Sequence, residues 1–258
     1  MAELRADGQR ILVTAGAGGI GRAIVEAVAG AGARVHLCDV DETALAEVRR
    51  ALPEVGTSLA DVSDEAQVDR MFQEAGDRLG GLDVLVNNAG IAGPTAPVEQ
   101  IEPADWRRCI DIDLTGQFLC ARRAVPMIKA AGGGAIVNIS SVAGRLGYAF
   151  RTPYAAAKWG VVGLTASLAR ELGPANISVN AILPGIVEGP RIEGVIRARA
   201  EAVGVTYEEM ERQYLDRVSL RRMVTAGDVA QTVLFLLTPA GRNISGQPIS
   251  VCGNVETL

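Results

Sequence analysis

The sequence predicts an α/β fold: a doubly wound, parallel, seven-stranded sheet in one domain spanning residues 1–258. Two observations carry this. Short apolar runs of strand length alternate with stretches of helical periodicity, and the first strand-to-helix junction is rich in glycine. No internal repeat, low-complexity tract or linker divides the chain. Alternation with helix-length crossovers makes neighbouring strands parallel, and a parallel sheet needs helices on both faces. Right-handed crossovers then wind it in both directions. At 258 residues, 48% of them hydrophobic, the chain can bury a full core.

Strands are expected at 10–14, 34–38, 56–60, 82–87, 134–139, 177–182 and 247–252, and helices at 19–31, 42–51, 64–79, 103–130, 153–172 and 226–237. Arg10-Ile-Leu-Val-Thr14 is an apolar run suited to a buried strand. Ala15-Gly-Ala-Gly-Gly-Ile-Gly21 then turns the chain into a helix beginning near Arg22. Strand, glycine turn and helix start together form an anion site: backbone N–H groups face a phosphate, and missing side chains let it approach. Gly16, Gly19, Ile20 and Gly21 fit that role. The next strand, Arg34 to Cys38, runs into Asp39. A carboxylate at that spacing accepts hydrogen bonds from an adenosine ribose. Ligands in such sheets bind at the carboxyl ends of strands, near the switch point.

Residues 190–220 break the rhythm. Pro190 opens a polar helix, and Thr206 with Glu209 has capping-box spacing for a second. An excursion of this length after a strand end suits a lid over the substrate.

Tyr154 and Lys158, four apart on an expected helix, share a face. A lysine cation beside a phenol favours the phenolate, which makes Tyr154 an acid/base. Ser141, thirteen residues upstream of Tyr154, supplies a hydroxyl to orient a carbonyl or alcohol.

Composition excludes several classes. A net charge of −5 argues against a nucleic-acid surface. No apolar run reaches membrane length, Thr232–Leu237 being far too short, and the start from Met1 to Gly8 lacks the apolar segment of a secretion signal. Cys38, Cys109, Cys120 and Cys252 are scattered and read as reduced, mostly buried residues of a cytoplasmic protein. The one histidine, His36, lies mid-strand and reads as structural, so neither a histidine triad nor a metal site is expected.

Several motifs now stand in a recognisable order: Thr14 to Gly21, Asp61-Val62, Asn87-Asn88-Ala89-Gly90, Ser141, Tyr154-x-x-x-Lys158, Asn180 and Pro184-Gly185. Over nearly its whole length the chain resembles the single-domain branch of the short-chain dehydrogenase/reductase family. The resemblance implies a Rossmann fold and an oxidoreductase that interconverts a secondary alcohol and a ketone by hydride transfer. It implies that Tyr154 exchanges the proton and, with Lys158, binds the cofactor, that Lys158 supports Tyr154 and holds the nicotinamide ribose, and that Ser141 hydrogen-bonds the reacting oxygen. It places Asp61 and Val62 near the adenine, Asn88, Ala89 and Gly90 beside the cofactor, and Pro184, Gly185 and Ile186 at the nicotinamide carboxamide. Asn87 and Asn88 have a partly structural part in the family. The cofactor is expected to be NAD, because the Asp39 carboxylate repels a 2′-phosphate and Ala17, Gly18 and Val40 offer no compensating cation. A homotetramer is also implied, with 103–130 and 153–172 in one interface and the C-terminal segment in another. The apolar run Trp159–Leu164 suggests burial.

Three departures stand out. Ala15 replaces the family's usual glycine, and Gly16 and Gly18 are expected to absorb the extra methyl so that cofactor binding survives. Asp113 replaces the asparagine that is the fourth catalytic residue in the family; its backbone can keep that role, or its carboxylate can pair with Lys158 and change the pH optimum. Val251-Cys-Gly-Asn254 replaces the usual Asp-Gly-Gly.

The substrate is expected to be small and polar: a sugar, polyol, hydroxy acid or 3-hydroxyacyl compound. Arg145, Arg151 and Arg191 near the site are candidates to clamp an anionic group. The alternatives are a catalytically weak NAD-binding sensor or partner-binding protein, and an enzyme of dehydration or epimerisation. The first usually lacks the tyrosine or lysine, and the second usually has a larger C-terminal region.

Overall fold

Seven strands form one sheet in the computed structural model, which describes residues 4–255. The first residues of the start read for a secretion signal, and the last three of the C-terminal segment, lie outside that range. The strands are β1 (Arg10–Thr14), β2 (Arg34–Asp39), β3 (Gly56–Leu59), β4 (Val84–Asn87), β5 (Gly134–Ile139), β6 (Ile177–Pro184) and β7 (Pro248–Val251). Their order is β3-β2-β1-β4-β5-β6-β7, with every neighbouring pair parallel. The winding runs outward from β1 to β3, then returns to β4 on the other side of β1. The switch point therefore lies between the carboxyl ends of β1 and β4.

The helices are α1 (Gly19–Gly30), α2 (Glu42–Ala51), α3 (Glu65–Leu79), α4 (Pro103–Ile110), α5 (Gly116–Ala130), α6 (Thr152–Leu172), α7 (Pro190–Val203), α8 (Tyr207–Asp216) and α9 (Ala226–Leu237). Side chains alternate across the sheet. Ile11 and Val13 of β1 join one apolar core with α1, α2 and α9, while Leu12 joins the other with α3, α5 and α6. Burial on both faces is why these strands read as continuous apolar runs rather than alternating ones. A third, smaller core holds α7 and α8 against the loops after β5 and β6, through Ile196, Met210 and Tyr214 against Val142 and Ile186.

Two expectations need correction. The helix expected over 103–130 is not one α-helix: Asp111–Thr115 form a π-helical turn between α4 and α5. Apolar periodicity does not register one such turn, because helix continues on both sides. At α8 only half of the expected capping box forms, with Thr206 accepting from the Glu209 N–H at 3.2 Å. The complete box is at α9, where Thr225 and Asp228 cap each other's backbone.

His36 is buried, as a structural residue should be, and bonds Ser58 Oγ at 2.8 Å; Ser58 in turn donates to Glu74. Burial pushes its pKa down to about 4 from 6.5. The unfolded chain therefore takes up a proton that the native state refuses, and stability is lost as pH falls from 6.5 towards 4. Urea titrations should show a loss of about 2 kcal/mol between about pH 7 and 5 that His36→Gln largely abolishes. An equal loss in both proteins would refute this.

Candidate active site

The glycine turn sits at the carboxyl end of β1, on the switch point. Gly16 and Gly21 are required by close approach: a Cβ on Gly16 would stand 2.7 Å from Leu37 Cβ, and one on Gly21 would stand 2.1 Å from the Ala15 carbonyl oxygen. Gly19 has φ +52°, a left-handed conformation that suits glycine. At Gly18 and Gly19 a Cβ would meet nothing within 4 Å, so bare backbone borders open space at the start of α1. The Gly18 cap makes no side-chain hydrogen bond to the helix. Open backbone at an uncapped helix start fits a dinucleotide's pyrophosphate.

Ala15 does not shift its strain onto its neighbours as expected. It holds φ +50° itself, while Gly16 and Gly18 stay out of the left-handed region. Its carbonyl is pinned by Asn88 Nδ2 at 2.9 Å, so the turn keeps its shape with alanine in the strained position. Asn88 also donates to the Thr14 carbonyl, and the Asn88 and Ala89 N–H groups bond Thr14 Oγ1 at 2.9 and 3.0 Å. Asn88 thus braces the glycine turn. Asn87, fully buried, braces β4 instead through Asn138 Oδ1 and the Gln117 carbonyl.

Asp39 ends β2 beside the turn. Its carboxylate accepts from Ala17 N at 3.0 Å and from Val40 N at 2.8 Å. This fixes a negative charge next to the glycine loop. Asp61 follows β3 and accepts from the backbone and hydroxyl of Ser63, while Val62 is buried against Gly116. After β6, Gly185 packs on Cys252, whose Cβ would be 2.7 Å from a Cβ at Gly185. Ile186 beside it is buried. Cys252 of the departing C-terminal motif is therefore a packing partner of the Pro184-Gly185-Ile186 loop.

Ser141 follows β5, is 8% exposed and accepts from Ala143 N at 3.2 Å. Tyr154 and Lys158 lie in the first turns of α6, with the Lys158 ammonium 5.6 Å from the Tyr154 ring centre. Lys158 donates to the Ile139 carbonyl at 3.2 Å and faces Asp113 Oδ2 at 3.4 Å. Both partners are buried, and the other Asp113 oxygen accepts from Ile91 N at 2.7 Å. Asp113 belongs to the π turn. Such turns recur at functional sites because the wider turn re-phases the side chains that follow. Gly90 lets the group close up, since a Cβ there would be 3.1 Å from Lys158 Nζ. Cys109 lies near these charges, and burial pushes its thiol up to about 11. All four cysteines are free and buried.

The three candidate arginines separate. Arg151 is buried with its guanidinium 4.6 Å from the Tyr154 ring centre. Arg191 is exposed, 6.0 Å from the same ring, and donates to the Gly90 carbonyl. Arg145 is exposed and is not brought to Tyr154. None of the three forms an ion pair with a described residue. Sequence reasoning missed Arg199 of α7, which is buried against Tyr148 and Tyr214. The available signal was its place on the apolar stripe of α7 with Ile196 and Ala200.

A small hollow lined by Val98, Ile101, Pro103, Trp106, Arg107 and Thr152 adjoins α6. A larger cleft lies at the opposite, amino-terminal ends of the strands and contains none of the candidate residues. Among the described residues no cluster of histidine, cysteine or acidic groups could hold a metal, and no helix is long and apolar enough to cross a membrane.

Residues 15–254 match the family model described as enoyl-(acyl carrier protein) reductase. The chain is 39% identical to a cis-4-hydroxycyclohexanecarboxylate dehydrogenase of Sinomonas cyclohexanicum, covering 96% of each chain. It is 37% identical to a sorbitol dehydrogenase of Cereibacter sphaeroides, covering 97% of this chain and 98% of that one. The crystal structure of an NAD+-bound xylitol dehydrogenase superposes with a TM-score of 0.93 at 28% identity, covering 96% and 99% of the two chains. With the parallel sheet, the glycine turn and the Tyr154–Lys158 pair in place, the chain belongs to the short-chain dehydrogenase/reductase family.

Proposed function

We propose that this protein is an NAD-dependent oxidoreductase interconverting a secondary alcohol and a ketone, with a small, polar substrate. The observation that carries the reading is the Tyr154–Lys158–Asp113 group, in which the Lys158 ammonium lies 5.6 Å from the Tyr154 ring centre and 3.4 Å from Asp113 Oδ2. Bound NAD supplies the hydride acceptor for the carbinol carbon. Tyr154 takes the alcohol proton in oxidation and returns it in reduction. Lys158, held by the Ile139 carbonyl and Asp113, keeps a cation near the ring. Ser141 donates a hydrogen bond to the reacting oxygen. Gly16, Gly19, Ile20 and Gly21 hold the pyrophosphate, Asp39 the adenosine ribose, Asp61 and Val62 the adenine end, and Pro184 to Ile186 the carboxamide.

The dehydrogenases named above for a hydroxycyclohexanecarboxylate, sorbitol and xylitol support a polar hydroxy compound as substrate. The test is NADH formation across polyols, sugars, hydroxy acids and plain secondary alcohols. Silence on all of them, with NAD binding intact by calorimetry, would overturn the reading. Cofactor choice gives a sharper expectation. Asp39→Asn removes the fixed charge beside the turn and should shift the NADP-to-NAD ratio of kcat/KM by about tenfold or more towards NADP. An unchanged ratio would show that Asp39 does not select the cofactor.

Helices α7 and α8 are proposed as the substrate lid. Their support is the separate small core and the left-handed glycines, Gly189 and Gly204, that bracket α7. Faster hydrogen exchange in α7 than in α6, slowed by cofactor and substrate together, is expected. A homotetramer in the cytoplasm completes the proposal. Of the run Trp159–Leu164 only Val161 is buried within one chain, because helical periodicity turns Trp159 outward. Trp106, Phe118 and Trp159 stand 41%, 49% and 51% exposed on α4, α5 and α6, where a partner would cover them. Light scattering that found a monomer at micromolar concentration would refute this assembly.

A further inference from the structure

We propose that the substrate is a hydroxy or keto acid and that Arg151 and Arg199 form the subsite for its oxyanion. This rests on the reading of Tyr154 as the alcohol–ketone centre and adds the charge of the molecule that reaches it. Arg151 and Arg199 are 3% and 8% exposed. Among the described residues neither forms an ion pair, and each keeps a buried N–H without an acceptor: Nε of Arg151 and Nη1 of Arg199. Arginine cannot shed its charge at any ordinary pH.

Arg151 Nη2 donates to the Ala92 carbonyl at 2.5 Å, and the other contacts of the two cations among the described residues are aromatic. The Arg151 guanidinium lies 4.6 Å from the Tyr154 ring centre and 5.0 Å from that of Tyr148. Arg199 lies 5.4 Å from Tyr148 and 5.7 Å from Tyr214. The Tyr148 and Tyr214 hydroxyls are 2.7 Å apart, which ties α8 to the loop before α6 and holds both arginines in place. Ring faces attract a cation, but more weakly than burial penalises an unpaired one. Two buried cations on one tyrosine ring also repel each other. An anion admitted beside Tyr154 would neutralise this surplus positive potential. Arg151 touches the ring whose hydroxyl meets the carbinol, so the oxyanion lies only a few bonds from the carbinol carbon. A neutral polyol would leave both charges uncompensated. Arg191, exposed and bound to the Gly90 carbonyl, adds to the field at the mouth.

The test separates charge recognition from redox chemistry by using probes that cannot be oxidised. Butyrate and cyclohexanecarboxylate would be titrated by calorimetry into the NAD-saturated protein, each beside its uncharged amide. Cyclohexanesulfonate shows whether a carboxylate or any compact oxyanion is read. We expect a carboxylate to bind about 10- to 100-fold more tightly than its amide, the range of one or two charged hydrogen bonds. Arg199→Met should remove most of that preference, Arg199→Lys and Arg151→Lys part of it, and Tyr154→Phe none. Should Arg199→Met fail to fold, the wild type and the two lysine variants decide. Equal binding of carboxylate and amide by the wild type, or an unchanged preference in every arginine variant, overturns the proposal. Preference for the carboxylate without turnover of any hydroxy acid would sink the dehydrogenase reading and leave the anion subsite standing. Turnover without preference would do the reverse.

Discussion

Tyr154→Phe is expected to lower kcat about 10³-fold while leaving stability and NAD affinity nearly unchanged. The expectation follows from what the hydroxyl does not do. Tyr154 is half-buried, and among the described residues its hydroxyl has no hydrogen-bond partner, so removing it deletes no structural contact. Its ring keeps its neighbours Arg151, Lys158 and Arg191 in the phenylalanine variant. General acid–base catalysis contributes about 10²- to 10⁴-fold, and the oxygen is the only atom removed. The controls are the melting temperature and the calorimetric NAD affinity. If the variant retained more than about a tenth of the wild-type kcat, Tyr154 would not be the proton carrier.

Lys158→Met should cost both activity and fold. Asp113 and Lys158 are 0% and 3% exposed, and among the described residues Asp113 Oδ2 has no partner beyond the lysine. Removing the ammonium strands a buried carboxylate, which costs about 3–5 kcal/mol. Adding Asp113→Asn should restore most of that stability, because the buried charge is gone and the Ile91 N–H can still find an oxygen. It should not restore turnover, since the cation near the Tyr154 ring is still missing. Asp113→Asn alone should stay active but lose stability, because the Lys158 ammonium keeps its bond to the Ile139 carbonyl and its place near the Tyr154 ring while losing its buried counter-charge. Urea unfolding and the kcat of the three variants check these points. A double variant no more stable than Lys158→Met would show that the ion pair is not the source of the loss.

Much of the fold was legible because both signals it uses are local. Alternating apolar runs and helical stripes give the strand order its raw material, and crossover handedness does the rest. Helix α9 was read at its observed limits and β1 and β5 likewise. The π turn at Asp111–Thr115 was not legible: its i to i+5 bond leaves the apolar pattern of both flanking helices intact.

The site divides the same way. Gly16, Gly21, Tyr154 and Lys158 announce themselves through residue type and spacing, because a glycine turn and a same-face helical pair are each built within a short stretch of chain, and Asp39 does so as the acid that ends the second strand. Contacts between distant segments did not. The pairing of Asp113 with Lys158 and of Asn88 with Ala15 joins residues 45 or more positions apart. So does the stacking of Arg199 on Tyr148. From sequence alone Arg145, Arg151 and Arg191 were equivalent candidates, and Arg199 was one charge on a polar helix. Sequence determined the sheet, the glycine turn and the Tyr154–Lys158 pair, since each is encoded in local periodicity and composition. Only the tertiary structure decided which charges are buried together, because the cost of an unpaired charge depends on what folds over it.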